Sequence, residues 1–325
     1  MLSTSISIKQ ISLTIFTLFS LVASSLAASR LSSSSSTPSI SNEPHPRATK
    51  PFLLRVMPLG ASITVGYRSS DGNGYRKFLR EQLRYAGWEV DMVGSLNNGT
   101  MKDHQNEGHY GDTIDGVANA GIASAWMQPN VILINAGTND AIRNDYIRGA
   151  GERIDRLITD LLTRIPNTTI ILSTLIANTH AQRVIQRMSQ EYRNVVARRR
   201  AAGDRVVLAE MSYFVGSEYL VGGDGTHPDD AGYKAMAAVW WAAILEAERE
   251  GLLAKPNAVQ SGLSVLVGSG NGTEGEGLDD GPVRDPGLPN YIAPAQPGED
   301  GAARVGAGMV WAILGVPLGL ALLRL

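Results

Sequence analysis

The sequence predicts an α/β protein in which a parallel sheet of about five strands is covered by helices on both faces, a three-layer α/β/α sandwich. Two observations predict it. Short apolar runs alternate with amphipathic helical patterns between residues 51 and 253, as in βαβ units. Some of the runs, such as residues 131–134, are apolar at every position, which is typical of strands buried on both faces.

The elements follow one another in a regular order. Phe78, Leu79 and Leu83 have the spacing of one helix face, and Ile154, Leu157 and neighbouring apolar residues repeat that spacing further along the chain. Residues 88–93 alternate in polarity as a half-buried strand does. The predicted strands are 52–57, 88–93, 131–134, 169–172 and 205–208, and the predicted helices are 74–86, 146–165, 181–200 and 230–250.

The N-terminal segment has the features of a secretory signal. Lys9 is the only charge before an apolar run at residues 11–23, and Ser25-Leu26-Ala27 ends in a small-x-small pattern. We therefore expect residues 1–27 to be a signal peptide, with a signal anchor as the alternative. Residues 28–50 are rich in serine and proline and predict a flexible leader.

The C-terminal segment is predicted to lie outside the domain as well. Residues 254–308 are rich in glycine, proline and acidic residues and predict a linker. Residues 309–325 form an apolar tail after a cluster of small residues, an order similar to a glycosylphosphatidylinositol (GPI) anchor signal. A tail anchor or a small docking helix are the alternatives. Three Asn-x-Thr sequons, at Asn98, Asn167 and Asn271, agree with a secreted or cell-surface glycoprotein.

The composition of the 325 residues excludes several classes of function. The chain has no cysteine, which excludes disulfides, thiol catalysis and Cys-ligated metals. The 29 basic and 31 acidic residues nearly balance, so a basic nucleic-acid-binding face is not expected. The sequence has no HExxH motif, and we expect no metal or cofactor. We expect a monomer whose partner is a small-molecule or polysaccharide ester.

Polar residues follow three predicted strands or loops at the edge where parallel α/β sheets carry their chemistry. Ser62 lies after the first strand, Asn139 follows the strand at 131–134, and Asp224 and His227 share a loop before the last helix. Each has an ordinary structural explanation, as a helix cap, an Asx-turn and a surface turn. Together they provide a serine nucleophile, an amide donor and an acid–imidazole pair.

In this set the sequence resembles the SGNH hydrolases, also called the GDSL family of esterases. Ser62 matches the first block of the family, Gly137-Thr138-Asn139-Asp140 the third and Asp224-x-x-His227 the fifth. The segments Met92-Val93-Gly94-Ser95 and Gly108-His109-Tyr110-Gly111 look most like carbohydrate esterase family 3, which includes acetyl xylan esterases. The resemblance covers about residues 52–250 and implies the flavodoxin-like SGNH hydrolase fold.

The resemblance implies catalytic roles for Ser62, Asp224 and His227. It implies an oxyanion hole made by the backbone N–H groups of Ser62 and Gly111 and by the side chain of Asn139. The first block of the family usually reads Gly-Asp-Ser, whereas this chain has Ala61 in place of the aspartate.

The expected function is a serine ester hydrolase that deacetylates carbohydrates. A lipid esterase or lysophospholipase, and a cell-surface binding module with a degraded site, are the alternatives. A redox carrier of the same fold is disfavoured because no phosphate-binding loop follows the first strand. Tyr67, Tyr75 and Arg76 are weaker candidates for substrate contact, and His104 and His109 are expected to be surface loop histidines.

Overall fold

The computed structural model describes residues 50–144, 147–259 and 283–289. The strands are β1 (Leu54–Gly60), β2 (Val90–Met92), β3 (Leu96–Asn97), β4 (Gln105–Gly108), β5 (Val131–Asn135), β6 (Thr169–Ser173) and β7 (Val206–Ala209). The helices are α1 (Ser62–Val65), α2 (Tyr75–Tyr85), α3 (Ile114–Ala123), α4 (Thr138–Arg143), α5 (Ala150–Arg164), α6 (Gln182–Ala201), α7 (Met211–Phe214) and α8 (Asp230–Arg249), with 3-10 turns at Ala125–Met127 and Ser217–Tyr219.

The sheet is parallel except at one edge. β2 and β4 pair with opposite ends of the same side of β1, and β5, β6 and β7 follow in order on its other side. This arrangement gives five positions across the sheet, as expected, occupied by six parallel strands. The short β3 adds an antiparallel pair to β4. The chain reverses its direction of progress between β1 and β5, which makes this the topological switch point of the sheet.

Two apolar layers cover the sheet, because successive side chains of a strand point to opposite faces. Val131 and Leu133 of β5 join a core with α2 and α8, whereas Ile132 and Ile134 join a second core with α3, α5 and α6. All five residues of β5 are buried. The fold is the predicted three-layer α/β/α sandwich.

Several elements were not predicted, and each has a physical reason. β4 has the sequence Gln-Asn-Glu-Gly, which carries no apolar signal, yet Asn106 and Glu107 are buried because hydrogen bonds satisfy their side chains. α3 contains alanine and two glycines, and glycine is a poor indicator of a helix. The helix expected over 146–165 begins later, at Ala150, and the short α4 precedes it.

The beginning of the expected linker lies against the domain. The side chain of Asn130 donates to the carbonyl of Ala254 at 2.6 Å, and Arg55 donates to the carbonyl of Asn257 at 3.1 Å. Leu288, in the second described part of this segment, packs against the core formed with α2 and α8. Among the residues described, none of the helices combines the length and apolarity that a membrane span needs. The expected signal peptide and C-terminal tail lie outside the described residues.

Candidate active site

The site lies at the carboxyl ends of β1, β4 and β5, beside the switch point. Ser62 follows β1 after a single residue, and the loop between Ser217–Tyr219 and α8 brings Asp224 and His227 over the same edge. The two parts are far apart in the chain, yet Ser62 and His227 are hydrogen bonded. The sheet therefore assembles a site that no local segment contains.

The turn that presents Ser62 depends on two glycines. A Cβ on Gly60 would lie 2.3 Å from Oγ1 of Thr64 and 2.4 Å from the carbonyl oxygen of Asn135, so only glycine fits there. Gly66 ends α1 with φ +89°, in the left-handed region that glycine adopts without strain. Between them Ser62 is only partly buried, so that its hydroxyl is reachable.

A continuous row of hydrogen bonds joins the three predicted catalytic residues. Oγ of Ser62 lies 2.8 Å from Nε2 of His227. Nδ1 of His227 lies 2.9 Å and 3.1 Å from the two carboxylate oxygens of Asp224. With Nδ1 donating its proton to Asp224, Nε2 is the acceptor for the serine hydroxyl. The geometry is that of a base poised to take the proton of Ser62.

Asp224 is kept ionised by its surroundings. Burial raises the pKa of its carboxyl, but hydrogen bonds from the backbone N–H and the ring of His227 and from the N–H of Thr226 outweigh burial and hold the pKa below its ordinary value. Arg68 adds a longer contact, 3.4 Å from Nε to the carboxylate. An anion fixed in this way orients the ring of His227 and stabilises its protonated form.

The loop after β6 holds the Asp224–His227 loop in place. The buried side chain of Asn178 donates to Oγ1 of Thr226 at 3.0 Å, and its carbonyl oxygen accepts the N–H groups of His180 and Ala181. His180 lies 2.9 Å from the carbonyl oxygen of Asp224. Nothing in the sequence pattern marks Asn178 as part of the site.

The expected oxyanion donors lie on neighbouring loops that are bonded to one another. Gly111 has φ +77° in a turn closed by the N–H of Asp112 and the carbonyl of His109, and its own N–H binds no acceptor among the described residues. The N–H of His109 donates to the carbonyl of Gly60, next to the nucleophile turn. One N–H of the Asn139 amide donates to the carbonyl of Asp112 at 2.8 Å. The second N–H of that amide is left for another acceptor.

His109 has a partner that the sequence did not indicate. Its Nε2 lies 2.7 Å from Oε1 of the buried Glu107, whose carboxylate also accepts Ser95 and Ser124. The pair therefore anchors the turn that carries Gly111. His104 is held by a contact of 2.8 Å from Nδ1 to the carbonyl of Met101.

Arg76 is buried rather than available to substrate. Its guanidinium donates to five carbonyl oxygens at 2.9–3.1 Å, those of Thr64, Val65, Gly72, Asn98 and His104. It joins the nucleophile turn to the segment before β4. Tyr75 is also fully buried, and burial raises the pKa of its hydroxyl to about 12. Of the three weaker candidates only Tyr67 is exposed.

The three sequons differ in their surroundings. Asn98 is half-buried and its side-chain oxygen accepts a hydrogen bond from Asn106 at 3.1 Å. Asn167 is exposed in a turn with φ +65°. Asn271 lies outside the described residues. Glycosylation at all three stays a prediction.

A Ser-His-Asp triad at the carboxyl edge of a parallel α/β sheet is typical of serine hydrolases. The chain belongs to the GDSL-like lipase/acylhydrolase family, whose family model matches residues 59–235. It is a carboxylic ester hydrolase. No curated protein matches the chain.

Solved structures share the fold. A family 3 carbohydrate esterase of Clostridium thermocellum is 25% identical, covers 62% of this chain and 99% of its own, and has a TM-score of 0.56. A family 3 carbohydrate esterase from Talaromyces cellulolyticus is 24% identical over 61% of this chain and 99% of its own, with a TM-score of 0.51. A mutant acetyl esterase with an acetate ion has the same identity and TM-score over 61% of this chain and all of its own.

Proposed function

We propose that this esterase removes acetyl groups from carbohydrate esters through an acyl-enzyme formed on Ser62. The row of hydrogen bonds from Ser62 through His227 to Asp224 carries the proposal, because it supplies a nucleophile, a base and an orienting anion. The similarity to the family 3 carbohydrate esterase of Clostridium thermocellum supports the choice of a sugar ester.

In this mechanism His227 takes the proton of Ser62 while Oγ attacks the ester carbonyl. The tetrahedral oxyanion accepts hydrogen bonds from the backbone N–H groups of Ser62 and Gly111 and from the free N–H of Asn139. His227 then gives the proton to the leaving alcohol. Water, activated by the same histidine, releases the acyl group and restores the serine.

Ala61 does not interrupt this geometry. It is the buried residue before α1, and no side chain in the described part of the protein caps that short helix. The hydrogen bond between Ser62 and His227 is nonetheless formed, and Asp224 supplies the anion of the triad. We propose that the site is active, which distinguishes the enzyme from a binding module built on the same fold.

The surface beside Ser62 favours a polar alcohol over a lipid. The exposed aromatic side chains there are Tyr67 and Tyr110, and the neighbouring residues Arg68, Ser69 and Asn98 are polar. Aromatic rings with polar neighbours suit the faces and hydroxyls of a sugar ring. The acyl chain of a lysophospholipid would meet few apolar side chains on this surface.

The test is the hydrolysis of acetylated xylan, 4-nitrophenyl acetate and a lysophospholipid by the protein and by S62A. We expect acetate release from the first two, and a loss of at least about 10³-fold in kcat on replacing the nucleophile. Thr159→Ala, on the exposed side of α5, is the matched control. Equal rates for the protein and S62A would contradict the serine mechanism, and preferred hydrolysis of the lysophospholipid would contradict the sugar ester.

We further propose that the enzyme works as a secreted or cell-surface monomer, N-glycosylated and held by a GPI anchor. The apolar run at residues 11–23, the sequons and the small-residue cluster before residues 309–325 support this location. Release from membranes by a phospholipase that cleaves GPI anchors is the expected result. Retention after that treatment would contradict the anchor.

A further inference from the structure

A cleft of about 240 Å³ opens beside the nucleophile turn. Its walls come from the residues that follow α1 and from the segments before and after β4, and include Tyr67, Arg68, Ser69, Asn98 and Tyr110. The rings of Tyr67 and Tyr110 meet edge to face at 5.7 Å. The proposed steps of acyl transfer use none of these side chains.

Tyr67 joins this cleft to His227, because its ring is a wall of the cleft and also packs against the imidazole. His227 must give its proton to the leaving oxygen, so the alcohol part of the ester lies against its ring. The ring of Tyr67 packs edge-on against the ring of His227 with centroids 4.8 Å apart, and the N–H of Tyr67 donates to the carbonyl of Ser62 at 3.0 Å. A group bonded to the leaving oxygen therefore lies beside Tyr67, at the entrance to the cleft.

Among the described residues that line this cleft, Arg68 carries the charge. Its backbone has φ +72°, a conformation that costs free energy for a residue other than glycine and that is often found at functional sites. Its guanidinium lies 5.1 Å from the centre of the Tyr67 ring, and its side chain is half exposed. The cation therefore lies against an aromatic wall of the cleft.

Most of the hydrogen-bonding capacity of Arg68 is unused. Within the described segments its polar contact is the ion pair of 3.4 Å from Nε to the carboxylate of Asp224, and neither Nη group binds an acceptor. Asp224 itself faces His227 and two backbone N–H groups. The other acids near the cleft are also engaged, since Asp71 binds Lys77 and Asp230 accepts the N–H of Ser70.

We infer that Arg68 binds a carboxylate on the alcohol part of the substrate, so that the cleft takes the ring of a hexuronic acid whose acetylated hydroxyl faces Ser62. Guanidinium groups bind carboxylates through two parallel N–H donors, which Arg68 has free. Tyr67 and Tyr110 would contact the ring faces. This inference rests on the proposed function and adds to it the charge of the sugar.

The test compares two small substrates with the same acetylated sugar ring: a methyl hexuronoside with a free carboxylate and its uncharged amide. The readout is the ratio of their kcat/KM values, which cancels any general effect on catalysis. We expect a ratio of about ten in favour of the carboxylate at low salt, falling as salt is added, because the charge pair is partly exposed to solvent. In R68N, whose asparagine tolerates the left-handed backbone, we expect a ratio near one.

R187N is the control, because it removes the same charge from an exposed position on α6 away from the cleft. It should keep the ratio of the unchanged protein. A ratio near one in the unchanged protein, or a ratio that R68N leaves unaltered, would overturn the inference while the serine mechanism stands. Failure of the proposed function is a separate result, in which S62A hydrolyses both substrates as fast as the unchanged protein.

Discussion

Asp224 shows how much one residue contributes to this site. A single carboxylate oxygen accepts the backbone N–H groups of Thr226 and His227 at 3.0 Å and 2.9 Å as well as the imidazole Nδ1. Those bonds lower the pKa of Asp224 against the opposing effect of burial. The side chain therefore shapes its own loop and also fixes the tautomer of His227.

Replacing Asp224 by asparagine tests this double role. We expect D224N to lower kcat by about 10³-fold to 10⁴-fold, because an amide that donates to Nδ1 would turn the ring into the wrong tautomer. Steady-state kinetics with 4-nitrophenyl acetate measures the loss. The matched control is D229N in the same loop, since Asp229 accepts the N–H of Gly232 and asparagine caps a helix equally well. A kcat unchanged in D224N would contradict the role of the anion.

The sequence predicted the residues that we propose act on substrate, but not the residues that hold them in place. Ser62, Asn139 and the Asp224–His227 pair were predicted because their positions after strands and their spacing are distinctive. Asn178 and Glu107 act only through contacts with other loops, formed after the chain has folded. A sequence pattern records local neighbours, so it carries no signal for such contacts.

At the scale of secondary-structure elements, α2 is joined to the nucleophile turn by Arg76. In the sequence, Arg76 is indistinguishable from the exposed arginines of an amphipathic helix, yet it is fully buried among carbonyl groups. Burial lowers the pKa of its guanidinium from the ordinary value. The carbonyl groups of two loops and the end of α1 thus share one cationic donor.

We expect R76M to destabilise the domain by at least about 3 kcal/mol, because several buried carbonyl groups would lose their donor. Urea unfolding followed by circular dichroism gives the free energy of unfolding. R84M, at the end of the same helix and only partly buried, is the control and should cost less than about 1 kcal/mol. An equal loss of free energy of unfolding in the two variants would contradict a stabilising role for the buried hydrogen bonds of Arg76.

The ends of β6 and β7 are connected by a buried carboxylate. Glu210 follows β7, accepts the hydroxyl of Thr174 at 2.7 Å and pairs with Arg193 of α6 at 2.7 Å. Burial raises the pKa of Glu210, but the hydrogen bonds from Arg193, Thr174 and Ser212 outweigh it, and the pKa lies below its ordinary value. The ionised form is therefore favoured by the fold.

The lowered pKa of Glu210 makes the free energy of unfolding depend on pH. Because the pKa is lower in the folded state, Glu210 stabilises the fold above the ordinary carboxyl pKa, and the contribution is lost as the pH falls through the folded-state pKa. We expect E210Q to lower the free energy of unfolding by about 2 kcal/mol at neutral pH, with the difference shrinking in acid. Denaturant unfolding over the pH range measures it. E248Q, in the partly exposed pair with Lys50, should cost under about 1 kcal/mol.

At the scale of the whole molecule, the folded unit extends past residue 253, the end expected from the sequence. The amide of Asn257 donates to Oε1 of Gln128 at 2.9 Å and to the carbonyl of Pro166 at 3.0 Å. The composition of this segment predicted a linker because it has few apolar residues. Its contacts with the domain are hydrogen bonds of backbone and amide groups, which leave no such signal in the composition. The strand and helix order of the remaining domain was predictable since each buried face repeats with a regular period.

Removal of this segment should weaken the domain. We expect the free energy of unfolding of a chain of residues 50–253 to be about 2 kcal/mol lower than that of a chain of residues 50–259, because the side chains of Asn130 and Arg55 would each lose one acceptor. Thermal and urea unfolding of the two chains measure the difference. In the longer chain, N257A should show part of the loss, whereas Lys255→Ala, exposed nearby, should show none. Equal stability of the two chains would instead place the C-terminal end of the folded domain at residue 253.

The separation of Ser62 and His227 along the chain, 165 residues, has a consequence for biosynthesis. Ser62 and β1 are synthesised long before the last loop has been made. In the proposed mechanism, that serine has no base until α8 docks and brings His227 across the sheet. Ester hydrolysis by the proposed mechanism can therefore begin only after the last loop has folded onto the sheet.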